Sequence, residues 1–235
     1  MTCLPCKKIS LEECNQLLQS SRLIRNGYLD RPKVLERDGM IIKFFYYDRL
    51  PRHRQVISLR GRRFIQRAFK LPSYGIKTIK PVQYMRCKAR SCEIIVYPKM
   101  EGISVYESLV ASFDPALFQR FAAYVAHLHD KGIYFKAGHS DNYLIDPKGD
   151  FLLIDVDNCR FTMYFLRRVK NLVYLIDHAR GNQYDLYMRY GEDRFINDYL
   201  KCANIKPSKH KKFHDLIKKH LAAKGYYEKE INKKE

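Results

Sequence analysis

The chain has 235 residues, enough for one large domain or two small lobes, and its 46% hydrophobic content excludes wholesale disorder. No apolar run approaches the roughly eighteen residues of a membrane span, and residues 1–8 lack the apolar stretch of a secretion signal, so a cytoplasmic protein is expected. Lys and Arg number 44 against 25 Asp and Glu, unevenly spread: residues 20–90 carry a net +15, residues 91–159 a net −5 and residues 160–235 a net +9. Basic flanks suit phosphate-rich partners, and the acidic middle suits a divalent cation. Seven scattered cysteines, an odd number, point to free thiols rather than a disulfide framework. Cys3-Leu-Pro-Cys6 has redox or half-zinc spacing, but no second Cys/His pair follows it.

Residues 9–23 read as an amphipathic helix capped by Ser10, with Glu12 and Glu13 in its positive first turn. Residues 34–47 read as two strands around a turn at Asp38-Gly39. The second strand is apolar except for Lys43, and a buried lysine needs an anionic partner. An edge-strand lysine that guards against aggregation is the alternative. Residues 52–71 read as a basic helix with Ile57, Phe64, Ile65, Ala68 and Phe69 on one face. Strands are expected at 78–84 and 92–97, then a connector at 98–102. Asp114-Pro115 starts a helix whose stripe is Leu117, Phe121, Val125 and Leu128, and Gly132 ends it. His127 and His129 read as a helix C-terminal charge arrangement. Short strands at Tyr143–Ile145 and 151–154 flank a turn at 147–149. Helices follow at 165–177, 184–202 and 208–223, and residues 225–235 read as a frayed polar tail. Strands first and helices afterwards give an α+β protein of two lobes, residues 1–98 and 99–235.

The chemistry concentrates between His127 and Asp157. A helix ends at glycine, a loop follows, Asn142 opens a hairpin and Asp155 closes it. An amide and a carboxylate at neighbouring strand ends suit magnesium with positions left for phosphate oxygens. They are also ordinary turn-forming residues. Lys43 is placed to address nucleotide phosphates.

This order of parts resembles the protein kinase-like superfamily. The loop Tyr134-Phe-Lys-Ala-Gly-His-Ser-Asp-Asn142 is similar to bacterial lipopolysaccharide core heptose and Kdo kinases, in the branch labelled toluene-tolerance or lipopolysaccharide-kinase-like. The resemblance spans about residues 34–200, and its specific part is 128–157. It implies a sheet-rich N-lobe and a larger helical C-lobe with ATP between them. It also implies Lys43 as the phosphate-positioning lysine and Asn142 and Asp155 as magnesium ligands.

Three departures stand out. Counting back from Asn142, the usual catalytic aspartate is replaced by Ala137. The glycine-rich nucleotide loop is missing, with only Gly27 before Val34. The lysine's customary glutamate has no candidate in the basic helix, where Gln66 is the nearest polar residue. His139 is the favoured substitute base, since a neutral imidazole accepts a proton near pH 7; a structural histidine bonding the loop is the alternative. Asp141 and Asp157 are further carboxylate candidates.

The leading expectation is an ATP- and magnesium-dependent kinase acting on a lipopolysaccharide core sugar, with peripheral contact to the inner membrane. A pseudokinase that keeps the cleft without turnover is the second. A nucleic-acid-binding protein rests on charge alone, and no recognised nucleic-acid motif is present. Arg60-Gly-Arg-Arg63 and residues 206–220 are either solvated faces or contacts for an anionic glycolipid.

Overall fold

The computed structural model describes residues 4–48, 60–136, 138–162, 164–177 and 183–223. Residues 52–59 of the expected basic helix, Ala137 and the 225–235 tail lie outside them. The chain divides into two compact units. One holds residues up to Glu101 together with Leu152–Asp157, and the other holds Gly102–Phe151 and the chain from Asn158 onward. Sheet and helix are both present in quantity, and the class is α+β.

The first unit is built on a six-stranded sheet. Its strands are β1 (Cys6–Ile9), β2 (Arg22–Asn26), β3 (Pro32–Arg37), β4 (Met40–Tyr46), β5 (Gln83–Cys87) and β6 (Cys92–Pro98), in the spatial order β1-β5-β6-β4-β3-β2. All neighbours are antiparallel except β1 with β5. The β3–β4 turn puts Asp38 at φ 50° and Gly39 at φ 71°, the paired left-handed geometry that matches strand twist. Helix α1 (Leu11–Gln19) starts on a full capping box. The Ser10 hydroxyl accepts from the Glu13 amide at 3.0 Å, and the Glu13 carboxylate accepts from the Ser10 amide at 2.7 Å. It ends earlier than the apolar pattern suggests. The Ser20 and Ser21 hydroxyls donate back to the Gln16 and Leu17 carbonyls, which competes with helix continuation, and the chain turns into β2.

Both faces of this sheet are covered, which is why β4 reads as almost unbroken hydrophobe. Ile42 and Phe44 join Cys14, Leu35, Ile94 and Val96 in a core under α1. Successive side chains alternate, so Ile41, Lys43 and Phe45 face the other way. On that side lies helix α2 (Arg60–Lys70), with Phe64, Ile65 and Ala68 buried. The Phe64 ring sits 5.4 Å from that of Phe45 and 5.8 Å from that of Tyr97. The strand expected at 78–84 forms later, at β5. Pro81 cannot donate to a ladder, and Thr78 instead makes an isolated bridge to Leu153, its hydroxyl donating to the Leu153 carbonyl at 2.7 Å.

The second unit is mainly helical. Asp114 caps helix α4 (Pro115–Asp130), which follows the short helix α3 (Val105–Ala111). The stripe of α4 packs Phe118 against Tyr190 at 4.6 Å and Phe121 against Tyr143 at 4.8 Å. Later come α5 (Phe165–Asp177), α6 (Gln183–Tyr190), α7 (Glu192–Cys202) and α8 (His210–Ala222). The single helix expected over 184–202 is two, because Gly191 adopts φ 96° between them. Short strands supply the loop scaffold: β7 (Ile103–Ser104) pairs with β9 (Tyr143–Ile145), and β8 (Ile133–Phe135) pairs with β11 (Cys159–Phe161). The return strand β10 (Phe151–Leu153) begins in this unit and carries the chain into the other. Gly102 matters here. At φ 142° it has a backbone that L-residues avoid, and a methyl group there would lie 2.4 Å from the Ile145 carbonyl oxygen.

Candidate functional site

Lys43 belongs to an interior strand, paired with Val34 on β3 and Ile95 on β6. That removes the edge-guard reading. Its side chain is 6% exposed, and its ammonium lies 2.7 Å from Asp155 Oδ1. The contact is an ion pair by distance. Its angle falls outside hydrogen-bond geometry, so Oδ1 is buried without a hydrogen-bond partner among the described residues. The ammonium also sits 5.1 Å from the Phe64 ring centre and 5.5 Å from that of Phe45, within cation–π range. Asp155 has φ 57°, a left-handed conformation that aspartate tolerates better than most residues. Burial pushes the Asp155 carboxyl up, but the Lys43 ammonium outweighs it and holds the group well below the usual carboxylate range.

Two residues on, Asp157 takes a different partner. Its Oδ2 accepts from Arg60 Nε at 2.8 Å and lies 2.7 Å from Arg60 Nη2. Burial and the neighbouring Asp155 charge push the Asp157 carboxyl up, against the pull of Arg60. Two close carboxylates are thus driven apart in titration, one firmly ionised and one more easily protonated. Arg60 is therefore more than a solvated basic face.

The start of α2 explains the absent glutamate. No acidic side chain of α2 meets Lys43, because α2 has none. The buried glutamate of this unit is Glu93 on β6. Its Oε2 accepts from the Gly61 amide at 2.8 Å, and the Tyr84 hydroxyl donates to its Oε1. Burial raises the Glu93 carboxyl, while Tyr84 and the first amides of α2 pull it down. Glu93 thus satisfies the helix start from a neighbouring strand. Gln66 is exposed.

In the second unit, His139, Asp141 and Asn142 come together. His139 Nδ1 lies 3.1 Å from Asp141 Oδ2, and its Nε2 lies 3.0 Å from Asn142 Nδ2. The chemistry fixes the directions. The amide nitrogen of Asn142 donates to Nε2, so Nδ1 carries the proton and donates to Asp141. Both ring nitrogens are engaged. The Asn142 amide also donates to the His139 carbonyl at 2.9 Å, closing a short 3₁₀ turn.

A buried bracket holds this loop. Asn171 on α5 reads the Phe135 backbone twice, accepting from its amide at 3.1 Å and donating to its carbonyl at 2.8 Å. Asn171 Oδ1 also accepts from His129 Nε2, and His129 Nδ1 accepts from the Tyr199 hydroxyl, both at 2.9 Å. Burial holds the His129 imidazole down at about 4, so it is neutral. The expectation of a helix C-terminal charge at His129 is corrected: the residue is a fully buried hydrogen-bond hub.

Three of these participants were not singled out in the sequence as site residues: Arg60, Glu93 and Asn171. A buried glutamate inside Cys-Glu-Ile-Ile-Val was the clearest signal available. The six residues that were singled out form two groups, Lys43 with Asp155 and Asp157 in the first unit, and His139 with Asp141 and Asn142 in the second. Among the described residues, no three His, Cys, Asp or Glu side chains are spaced to hold a metal by themselves. Asp155 fits a cation, since it is ionised and has a buried oxygen without a hydrogen-bond partner. Among the described residues, no helix is long and apolar enough to cross a membrane.

No protein-family model and no curated protein matches the chain. Solved structures do. The chain is similar to WbdD, described as a bifunctional kinase-methyltransferase, with 15% identity and a TM-score of 0.47 over 80% of this chain and 47% of that one. It is similar to WbdD in a co-crystal with a kinase inhibitor at 14% identity and a TM-score of 0.46, over 76% and 45% of the two chains. Monomeric WbdD gives 17% identity and a TM-score of 0.44, over 71% and 43%. The chain therefore spans about half the length of the structures it resembles. At such values the likeness carries no substrate, cofactor or residue role with it.

Proposed function

We propose that the chain is an ATP- and magnesium-dependent phosphotransferase of the kinase-like class, acting on a hydroxyl of a lipopolysaccharide core sugar. The observation that carries the reading is the buried Lys43–Asp155 ion pair on an interior strand. Burying two charges costs several kcal/mol per ion in a folding protein, so such a pair is weak evidence for a stabilising role. A polyphosphate and its cation give both groups a use, the ammonium on phosphate oxygens and the carboxylate on the metal. Asp155 and Asn142 are the proposed magnesium ligands, and magnesium when bound would neutralise charge on the transferring phosphoryl group.

His139 supplies the proton acceptor in this reading. Asp141 holds Nδ1–H and leaves Nε2 as the basic nitrogen. For Nε2 to take a hydroxyl proton, it must exchange the Asn142 amide for the acceptor hydroxyl. Asp157, easier to protonate than Asp155, is the carboxylate alternative.

A second reading has its own support. Both His139 nitrogens are occupied, and Ala137, which lies outside the described residues, stands where the catalytic aspartate is usual. A module that binds nucleotide without turning it over meets both facts. ATP consumption by the purified chain, with magnesium and with lipopolysaccharide core glycolipid as acceptor, separates the two. Phosphate transfer to the glycolipid supports the kinase. Magnesium-dependent ATP binding with no consumption supports the module.

A further inference from the structure

Helices α1 and α3 begin on capping boxes, with Glu13 and Glu107 facing the positive end of the helix, and α4 begins on Asp114. Helix α8 does the reverse. It starts on Lys209-His210-Lys211-Lys212, with no side-chain cap and no acidic residue in its first turn. Cations at that end oppose the helix dipole and cost stability. A local rule broken in this way is characteristic of a surface kept for a partner.

The helix sorts its side chains by direction. Phe213, Ile217 and Leu221 are buried, with the Phe213 ring 5.3 Å from that of Phe165 on α5 and 5.5 Å from that of Tyr199 on α7. Toward α7 the charges are paired: Lys218 lies 3.0 Å from Glu192 and 3.2 Å from Asp193, and His214 lies 3.1 Å from Asp193. Lys211, Lys212 and Lys219 fall within about 100° of arc on the side away from the buried stripe. An indentation of about 420 Å³ follows that side, lined by these three lysines with Ser208, Asp215 and Leu216. Lys206 and Lys209 precede them in the chain. All five lysines are exposed, and their side chains make no hydrogen bond or ion pair among the described residues. Asp215 is the one carboxylate lining the indentation.

We propose that this lysine face of α8 docks the protein on an anionic phospholipid bilayer. Residues 201–223 hold seven lysines and no arginine, and Phe213, the one Phe, Tyr or Trp among them, is buried. Nucleic-acid sites favour arginine forks and stacking aromatic rings, and protein interfaces are depleted of lysine. Flexible ammonium groups in a row suit a plane of many identical phosphates, where each lysine adds roughly fivefold to the affinity. The apolar stripe of α8 is turned into the core and is not available to enter the acyl chains, so the docking is electrostatic. The proposal does not depend on the nucleotide site.

The experiment sediments the full chain with vesicles of phosphatidylcholine alone and of phosphatidylcholine mixed with phosphatidylglycerol, at low and high sodium chloride, and records melting temperatures. A glutamine triple, Lys211→Gln, Lys212→Gln and Lys219→Gln, is set beside an arginine triple, Lys211→Arg, Lys212→Arg and Lys219→Arg. A control triple, Lys80→Gln, Lys88→Gln and Lys148→Gln, removes the same charge from exposed positions elsewhere. Wild type is expected to bind the mixed vesicles at low salt, to leave them at about 0.5 M salt and to ignore phosphatidylcholine. The glutamine triple melts no lower than wild type and binds about 10²-fold more weakly, while the arginine and control triples bind close to wild type. Equal binding by wild type and the glutamine triple, or an equal loss in the control triple, overturns the assignment of the face. Wild type that ignores the mixed vesicles at low salt, or that binds phosphatidylcholine alone, overturns electrostatic docking. Single-stranded RNA that stays bound to wild type at salt that strips the vesicles, and is lost in the glutamine triple, gives the face to nucleic acid and overturns the lipid. If the glutamine triple melts well below wild type, the arginine triple decides: retained binding supports the proposal and lost binding overturns it.

Discussion

The two groups of candidate residues differ in kind. In the first unit, Lys43 and Asp155 form a buried ion pair, with the Phe45 and Phe64 rings within cation–π range of the ammonium. In the second, Asp141, His139 and Asn142 form a hydrogen-bonded relay that runs from the Asp141 side chain, 39% exposed, to the buried Asn142. Breaking the first leaves a charge in a poor solvent, so the cost falls on folding. Breaking the second at its exposed Asp141 end leaves a group that water can reach, so the cost falls on positioning and chemistry.

That contrast can be broken at its strong end first. Asp155→Ala strands the Lys43 ammonium and should cost about 3–5 kcal/mol, read as a lower urea midpoint. Combining Lys43→Met with Asp155→Asn removes both charges and keeps a residue that tolerates φ 57°, so most of that loss should return. A double variant as unstable as Asp155→Ala would show that the pair is not the source of the cost. In the relay, His139→Gln should leave the urea midpoint close to wild type and lower turnover by a factor of about 10² or more. A large stability loss with unchanged turnover would reverse the assignment.

The buried bracket beneath the relay gives smaller, graded effects. His129 is neutral in the fold, with its imidazole held at about 4 against an ordinary value near 6.5. Between those values the unfolded chain binds more protons than the folded one, so stability falls as pH drops through that window, by up to roughly 3 kcal/mol. Glu93 and Asp157, both raised, titrate with the opposite sign. The readout is therefore the difference between wild type and His129→Gln at pH 7 and pH 4.5. Equal slopes in the two proteins would contradict the buried neutral assignment. Asn171→Ala comes last. It leaves the Phe135 amide, the Phe135 carbonyl and His129 Nε2 without that partner and should cost about 2 kcal/mol in urea.

Local signals carried much of the fold. The Ser10 cap, the Asp38-Gly39 turn, the Asp114-Pro115 start and the helix Phe165–Asp177 were legible because each depends on neighbours in the chain. Strands β2, β8 and β11 were not, since three- to five-residue segments acquire their ladder from distant partners. Among the six candidate residues, Lys43 stood out because a lysine is unusual inside an apolar strand, and the others were taken from the stretch that resembles the kinase-like superfamily. Their partners were hidden for the same physical reason as the short strands. Arg60 and Asp157 are 97 positions apart, and nothing local to either announces the other. His129 misled because a histidine in a last helical turn looks like a dipole partner until burial is known.

The central claim is that Lys43 and Asp155 are charged and buried for the sake of a ligand. Titrating ATP into the Lys43→Met, Asp155→Asn double variant, with and without magnesium, tests it most directly. A protein that melts cooperatively near wild type but no longer binds ATP in a magnesium-dependent way is the result predicted. A folded double variant that binds magnesium–ATP as tightly as wild type would contradict it.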